Sequence, residues 1–249
     1  MYRFFTLLRA SKRSCGIAFL QYHSFLASGK TPVKKFLLTC AVLVSGYATA
    51  DVGSGTLWDP VAGRTDELYE VATQAKAIQE KLGANVSIAT DQDGNMHFFS
   101  VFDNWESWGK FQAKLAANAD WQALVAKFEA DPPAEQGETF HINMPVVAKP
   151  NNVSVVFVWF VQPGRNADMI ANAQEAVGIH AKLGASAGIS IDDLGDLYYE
   201  LTFDSWEAWG KYATAVQSSE EWAAFIAKVS QDPAAELMKV YRLNTYTGE

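Results

Sequence analysis

The chain is poor in cysteine, and beyond its first 50 residues it is also poor in basic side chains. Its two cysteines, Cys15 and Cys40, both lie within residues 1–50 of the 249. If that segment is removed, no cysteine is left for a disulfide, a thiol nucleophile or a thiolate metal site. The remaining residues carry 13 basic and 28 acidic side chains, a net charge of −15. Such a surface repels nucleic acid and anionic membranes, so neither is an expected partner.

Histidine is scarce, and metal-binding motifs are lacking. Beyond residue 50 the histidines are His97, His141 and His180, without the H-x3-H spacing typical of zinc sites. "DQDGN" (91–95) resembles the start of a calcium loop, but the position where that loop needs Glu is Phe102. A hairpin turn explains this stretch better. The sequence also lacks a Gly-rich phosphate loop, a G-x-S-x-G elbow and a Cys-His pair. We therefore expect no metal and no cofactor.

Residues 33–50, "VKKFLLTCAVLVSGYATA", have the order of a secretory signal. Two lysines precede a short apolar run, and Ala48-Thr49-Ala50 supplies a small-x-small cleavage site. The apolar run is too short to cross a bilayer. The alternatives are an uncleaved anchor and a mitochondrial presequence in the basic residues 1–30. We expect residues 1–50 to be an N-terminal extension with a signal peptide, and the mature protein to be periplasmic or secreted.

The chain repeats itself, because "FDNWESWGK" (102–110) returns as "FDSWEAWGK" (203–211). A shift of 101 residues aligns the two halves without a gap, and 30 of the 97 aligned pairs are identical. A period this long exceeds that of solenoid repeats and indicates two copies of one domain. Pro and Asn in "VVAKPNN" (146–152) break any regular element. We predict a first repeat over 51–148 and a second repeat over 149–249.

Each repeat has the pattern β-α-β-β-α-β, a ferredoxin-like order. Gly184 stops the first helix of the second repeat, as its counterpart does in the first. Asp103 and Asp204 each precede a Glu by three residues, which predicts that they cap the second helix of each repeat. That helix is expected to break near Asn118 in the first repeat and near Ser218-Ser219 in the second.

The strand "VSVVFVWFV" (153–161) is apolar on both faces. The two helices of a β-α-β-β-α-β unit cover only one face of its sheet, so the other face needs a second cover, which the other repeat can supply. We predict an α+β fold in which two tandem ferredoxin-like units form an intramolecular α+β barrel, a pseudo-dimer within one chain. The counterpart strand, "VGSGTLWDP" (52–60), carries two Gly and a Pro. It is predicted to pair more weakly and to leave a more open half.

The element order, the "PGR" after a first strand (163–165) and the "FDSWEAW" helix start (203–209) resemble the dimeric α+β barrel superfamily. That superfamily includes antibiotic-biosynthesis-monooxygenase-like and NIPSNAP-like proteins, in which two chains usually make the barrel. The resemblance covers both repeats. It implies, for the oxygenases of the superfamily, catalysis without a cofactor by Asn and Trp near the substrate. The haem-degrading branch has a His on the second helix, and 104–130 and 205–231 contain none, which puts haem breakdown in doubt.

Tryptophan is abundant, and all eight Trp residues belong to repeated pairs. The pairs are Trp58/Trp159, Trp105/Trp206, Trp108/Trp209 and Trp121/Trp222. Trp105 and Trp108 are three residues apart on a predicted helix and so share a face. One interpretation is an aromatic core between helices and sheet. The other is an aromatic pocket for a flat ligand such as a polyketide, a flavin, a haem or a quinol.

Polar residues inside strands are the other candidates for a ligand site. Alternation places Phe140, Ile142, Tyr241 and Leu243 on one face of the last strands and the polar residues on the other. Buried polar groups must be paired, so these side chains are either exposed at an edge or line a wet cavity. The ligand-binding candidates are Trp58, Trp159, His97, Tyr198, His141, Asn143, Arg242 and Asn244. No catalytic residue is predicted.

We expect any ligand site to lie between the sheet and the helices. The second repeat is preferred for an acidic ligand, because Arg242 is always charged whereas His141 is largely neutral near pH 7. Two functions remain open. The first is an exported small-molecule-binding barrel, with cofactor-independent oxygenase or isomerase activity on an aromatic or polyketide-like compound. The second is a non-enzymatic barrel that serves protein interaction or stress-related binding. A cavity next to Asn143 or Asn244 favours the first function, and a solid interior with surface Asn side chains favours the second.

Overall fold

A computed structural model describes residues 51–248, and the predicted signal segment lies outside the described residues. The first repeat contains β1 (Asp51–Pro60), α1 (Thr65–Lys81), β2 (Asn85–Thr90), β3 (Met96–Phe102), α2 (Trp105–Ala117), α3 (Ala119–Ala130) and β4 (Ala134–Val146). The second contains β5 (Val153–Val161), α4 (Asn166–Lys182), β6 (Ser186–Asp192), β7 (Leu197–Phe203), α5 (Trp206–Gln217), α6 (Glu220–Val229) and β8 (Ala235–Thr245). Both repeats therefore have the predicted β-α-β-β-α-β order, with the second helix in two parts. None of the helices within 51–248 is both long and apolar enough to cross a membrane.

The eight strands form one closed barrel in the order β1-β3-β2-β8-β5-β7-β6-β4, with antiparallel neighbours. Two seams join the repeats. In the first seam β2 pairs with β8, and the Gln92 side chain extends the contact by donating to the Val240 carbonyl at 3.4 Å and accepting from the Arg242 backbone N–H at 2.7 Å. In the second seam β4 pairs with β6 around Ile142 and Asp192. The predicted intramolecular α+β barrel is confirmed.

The helix starts are displaced by one residue from the prediction. Asn104 and Ser205 are the N-caps of α2 and α5, and the Asn104 side chain accepts a hydrogen bond from the Ser107 backbone N–H at 2.9 Å. The predicted caps, Asp103 and Asp204, are exposed instead. The prediction was wrong because β3 and β7 continue to the preceding Phe, and one residue is needed to leave the sheet before the helix begins.

The other helix boundaries agree with the sequence. Gly83 and Gly184 have φ angles of +105° and +92°, the left-handed conformation that ends a helix and favours Gly. The predicted break in the second helix is also present. Asn118 ends α2 and caps α3 by accepting from the Trp121 backbone N–H at 2.8 Å, and Ser219 caps α6 in the same way.

A repeated ion pair explains why the Gly-Arg and Asp-Pro dipeptides occur in both repeats. Arg64 lies 2.8 Å from the Asp131 carboxylate, and Arg165 lies 2.9 Å from the Asp232 carboxylate. Each pair ties the loop after the first strand to the loop after the split helix. These identical residues therefore serve the fold, and the functional differences between the repeats must be sought elsewhere.

The glycines of β1 do not weaken this strand, contrary to the prediction. β1 pairs with β3 and β4 over as many positions as β5 pairs with β7 and β8. Gly53 and Gly55 face the barrel interior, where the rings of Phe99 and Phe140 lie directly against them. Rings from neighbouring strands thus fill the space that the missing side chains leave, and the first half of the barrel is not more open.

Candidate functional site

The barrel encloses a cavity of about 170 Å³, which we call the interior cavity. Its apolar lining consists of Leu57, Ile88, Ala89, Phe98, Phe99, Phe140, Ile142, Met144, Val156 and Leu243. Its polar lining includes Ser87, His97, Glu138, Ser154, Ser190, Tyr198, Glu200, Tyr241 and Thr245. A cavity of about 150 Å³ accommodates benzene, whereas pockets for drug-sized ligands measure roughly 300–1,000 Å³. The interior cavity, which is partly open to solvent, therefore has room for about one ring inside the barrel.

Three aromatic side chains form one wall of the interior cavity. The ring centroids of Phe99 and Phe140 lie 6.2 Å apart with an interplanar angle of 24°, and those of Phe140 and Tyr198 lie 5.5 Å apart at 18°. Phe99 and Phe140 belong to the first repeat and Tyr198 to the second, so this stack crosses between the repeats. A series of nearly parallel rings offers a flat surface to a flat ligand.

Glu200 is the buried carboxyl of the interior cavity. Burial raises its pKa, and a hydrogen bond with Ser154 on the neighbouring strand acts in the opposite direction. Its side chain is surrounded by protein and stays partly accessible, because it faces the cavity. The equivalent residue of the first repeat is Phe99, so the barrel carries this carboxyl on one side only. Glu138, the other carboxyl of the lining, is exposed.

His97 is held by a buried carboxylate. Its Nε2 lies 3.1 Å from Asp91 Oδ2, and the Asp91 side chain also accepts hydrogen bonds from the backbone N–H groups of Asp93 and Asn95 at 2.9 Å. Burial lowers the pKa of His97, although Asp91 works against this change. Burial alone would raise the pKa of Asp91, but its hydrogen bonds outweigh that effect and lower it. His97 is thus neutral near pH 7, with its Nε2 proton directed to Asp91.

The second repeat replaces this pair with Tyr198 and Asp192. The Tyr198 hydroxyl lies 3.4 Å from Asp192 Oδ2, and burial, followed by the nearby Asp192 charge, raises the tyrosine pKa. Asp91 and Asp192 occupy equivalent turns. Each accepts backbone N–H groups of its own hairpin. The structure therefore confirms the hairpin interpretation of "DQDGN".

Tyr241 is fixed from two sides. The Lys239 Nζ lies 4.3 Å from the centroid of its ring, and the His97 ring meets it edge-on at a centroid distance of 4.8 Å. Lys239 is the counterpart of Glu138 in the first repeat. The repeats thus place opposite charges at equivalent positions at this end of the barrel.

The structure divides the eight sequence-derived candidates between the two faces of the sheet. His97 and Tyr198 line the interior cavity, whereas the other six do not. Trp58 and Trp159 pack on the helix side, where the Trp58 ring contacts Phe128 edge-on at 5.2 Å. Arg242 is exposed. The candidates therefore do not form one site, and the cavity lies on the side of the sheet opposite to the predicted position.

The repeated asparagines bind the repeated tryptophans. Trp105 donates its indole N–H to Asn143 Oδ1 at 2.9 Å, and Trp206 donates to Asn244 Oδ1 at 2.7 Å. His141 lies beside this cluster, with its ring centroid 6.1 Å from that of Trp105. Both asparagines are exposed. The barrel has a cavity, which favours the small-molecule-binding hypothesis. The asparagines are at the surface, which favours the non-enzymatic hypothesis.

Sequence reasoning did not select Glu200 and Ser154 as site residues. The signal was present, because "DLYYELTF" places one acidic residue among apolar and aromatic ones in a central strand, where a carboxylate is costly to bury. Reasoning from repeated residues directs attention to Asn143 and Asn244. The residues that line the cavity are mostly those that differ between the repeats.

A second buried polar group lies outside the interior cavity. The His180 side chain is only 3% exposed, and its Nδ1 lies 2.6 Å from the Tyr212 hydroxyl. Burial lowers the pKa of His180 to about 4. The Tyr199 ring lies with its centroid 5.6 Å from that of His180, and the Tyr199 hydroxyl has no hydrogen-bond partner within 51–248. Across the same residues, no three His, Cys, Asp or Glu side chains are grouped so that they could hold a metal ion.

Several solved structures share this fold. A putative monooxygenase from Fusobacterium nucleatum subsp. nucleatum matches with a TM-score of 0.59 at 8% identity, over 79% of this chain and 93% of that one. A second, from Lactobacillus acidophilus, matches with a TM-score of 0.58 at 13% identity, over 79% and 94%. An anthrone oxidase-like protein matches with a TM-score of 0.57 at 13% identity, over 82% and 96%. At such identities the likeness shows the α+β barrel fold alone. No protein-family model and no curated protein sequence matches the chain.

Proposed function

We propose that the protein binds a small molecule of about one ring in the interior cavity. The observation that carries this proposal is a cavity of about 170 Å³ with a stacked aromatic wall and a few polar groups. This combination is typical of small-molecule sites, in which apolar walls supply contact and a few polar groups orient the ligand. A polyketide of several fused rings exceeds this volume, so we narrow the ligand to a single-ring compound.

In chemical terms we propose a cofactor-independent oxygenase or isomerase. The names of the structural neighbours, monooxygenase and anthrone oxidase-like, support the oxygenase alternative by analogy of fold. The buried carboxyl of Glu200 supports both alternatives, because each reaction begins with removal of a proton from the substrate. The competing proposal is binding without chemistry, and the surface position of Asn143 and Asn244 favours it.

Ligand binding can be tested on the purified protein. Native mass spectrometry detects a co-purified compound, and a thermal-shift screen compares one-ring phenols and ketones with two- and three-ring analogues. We expect stabilisation by one-ring compounds only. Stabilisation by the larger analogues alone would contradict a site in the interior cavity. Oxygen consumption in the presence of each stabilising compound then separates an oxygenase from an isomerase.

We also propose that the protein is exported. The basic-apolar-small order of residues 33–50 supports this proposal. N-terminal sequencing of protein from the cell envelope should give a chain that starts at or near Asp51. A chain recovered from the cytoplasm with Met1 at its start would contradict export.

A further inference from the structure

We propose that Glu200 moves protons within the ligand, and that the protein isomerises single-ring ketones with an unsaturated bond next to the acidic carbon. This inference deepens the proposed function and rests on it. It assigns the base and the substrate class of the interior cavity, neither of which follows from the fold.

Glu200 is placed to contact a ligand in the interior cavity. Its carboxyl faces the cavity from β7, and Val156 and Leu243 contribute apolar wall nearby. Ser154, on the neighbouring strand β5, is the polar side chain that acts on it from the same lining. A carboxylate has about four acceptor positions, so most of them remain free for a ligand. A buried carboxyl with unused acceptors is costly unless a partner arrives, and a ligand that offers a proton is such a partner.

The environment of Glu200 suits a base. Burial raises its pKa above the usual value for a carboxyl, and a carboxylate with a raised pKa is a stronger base. Glu138 also lines the cavity, but it is exposed and lacks this environment. Because Phe99 occupies the equivalent place in the first repeat, no second carboxyl stands opposite Glu200 at that position.

The reaction balances with the residues of the chain alone. The Glu200 carboxylate takes the proton from the carbon between the carbonyl group and the double bond. That C–H bond breaks, an O–H bond forms on Glu200, and the electron pair moves to the carbonyl oxygen as an enolate. Glu200 then returns the same proton to the far carbon of the double bond, which moves into conjugation with the carbonyl. The hydroxyl of Ser190, in the same lining, can donate a hydrogen bond to the enolate oxygen.

The surroundings of the cavity select the substrate class. Its volume and its aromatic wall fit one flat ring. At one end of the barrel the carboxylates of Asp91, Asp192 and the exposed Glu138 outnumber the single ammonium of Lys239, and the chain beyond residue 50 is strongly acidic. An anionic ligand is therefore disfavoured, and a neutral ketone is favoured.

The test uses two probes with the full chain. Cyclohexanone cannot isomerise and reports binding, by thermal shift or calorimetry. Cyclohex-3-en-1-one isomerises to its conjugated isomer, whose ultraviolet absorbance reports the rate without any added cofactor. Glu200→Gln keeps the size and the hydrogen bond of the side chain but removes the base. Glu207→Gln is the control, since Glu207 is an exposed carboxyl on α5, outside the barrel.

We expect the wild type and both variants to bind cyclohexanone. We expect the wild type and Glu207→Gln to accelerate the isomerisation, and Glu200→Gln to lose on the order of 100-fold of that acceleration or more. Binding of cyclohexanone without acceleration by the wild type, or equal rates for Glu200→Gln and the wild type, would overturn the role of Glu200 and leave the binding function standing. Failure of the wild type to bind either probe would overturn the inference together with the proposed one-ring site.

Discussion

The ring of Phe99 occupies the space that a side chain on Gly53 would need. A Cβ atom added to Gly53 would lie 2.2 Å from Phe99 Cζ, far inside van der Waals contact. In the second repeat the equivalent residues are Ser154 and Glu200, two polar side chains that line the interior cavity instead. The same two positions of the barrel thus hold a packed ring in one repeat and a buried polar pair in the other.

Gly53→Ala should destabilise the protein by about 1–3 kcal/mol, the usual cost of forcing extra volume into a packed core. The Phe99 ring has to turn towards the interior cavity, so ligand binding should weaken as well. Urea denaturation measures the change in the free energy of unfolding. The control is Gly109→Ala, because Gly109 lies on helix α2 with open space around its Cα. That variant should be stabilised by about 0.5–1 kcal/mol. Equal effects of the two substitutions would refute the packing argument.

Acid should destabilise the protein through His180. Its pKa is about 4 in the folded chain because of burial, compared with 6.5 for the free side chain. Between these pH values the unfolded chain binds a proton that the folded chain does not. The free energy of unfolding therefore decreases by up to about 1.4 kcal/mol per pH unit as the pH falls from 6.5 towards 4, and His180 contributes no slope above this range.

His180→Gln tests this pH dependence. Gln is a reasonable replacement, because Gln79 is buried at the equivalent place in the first repeat and accepts a hydrogen bond from Ser100 at 2.8 Å. The slope of unfolding free energy against pH between about 4.5 and 6.5 should be smaller in the variant than in the wild type. The comparison of slopes is independent of any constant loss of stability. Identical slopes would show that His180 does not titrate as described.

The indole–asparagine bonds should stabilise both repeats to a similar extent. Asn143→Ala and Asn244→Ala should each lower the free energy of unfolding by about 0.5–1.5 kcal/mol, as expected for one hydrogen bond. A double-mutant cycle with Trp206→Phe, which retains an aromatic ring but loses the N–H, isolates the Trp206–Asn244 bond. Additive effects of Trp206→Phe and Asn244→Ala would mean that the bond contributes nothing measurable.

Neither repeat should be stable as a monomer by itself. Residues 51–148 alone would expose the apolar interior residues and the two unpaired edge strands, β2 and β4. We expect this fragment to self-dimerise or to aggregate, and analytical ultracentrifugation with hydrogen exchange can tell these outcomes apart. A soluble, well-protected monomer at micromolar concentration would show that the second repeat is not needed as a cover.

The sequence predicted the architecture because the residues that end and tie the elements recur in both repeats. Gly83 and Gly184 end helices, and Arg64 pairs with Asp131 as Arg165 pairs with Asp232. Residues of this kind appear as identical pairs when the two repeats are aligned with each other.

The interior cavity was not predicted, because its key positions differ between the repeats. His97 faces Tyr198 in the alignment, and Phe99 faces Glu200, so self-comparison shows no shared residue here, and His97 and Tyr198 became candidates only as polar residues inside strands. Alternation correctly separated the two faces of the last strands. The alternation of apolar and polar residues does not show which face of the sheet is enclosed by the barrel. The enclosed face depends on the two seams, where strands from different repeats meet through few backbone pairs.

The covalent link between the repeats has a consequence for how such a barrel can change. In a barrel assembled from two identical chains, a substitution enters the interior twice, and a Glu at the position of Phe99 would come with a second Glu at the position of Glu200. Here Val146 at the end of β4 and Val153 at the start of β5 are joined by six residues of the same chain, so each half mutates on its own. Because both repeats lie in one chain, the barrel interior need not be symmetric. A single acidic residue can occupy one half without an equivalent acidic residue in the other half.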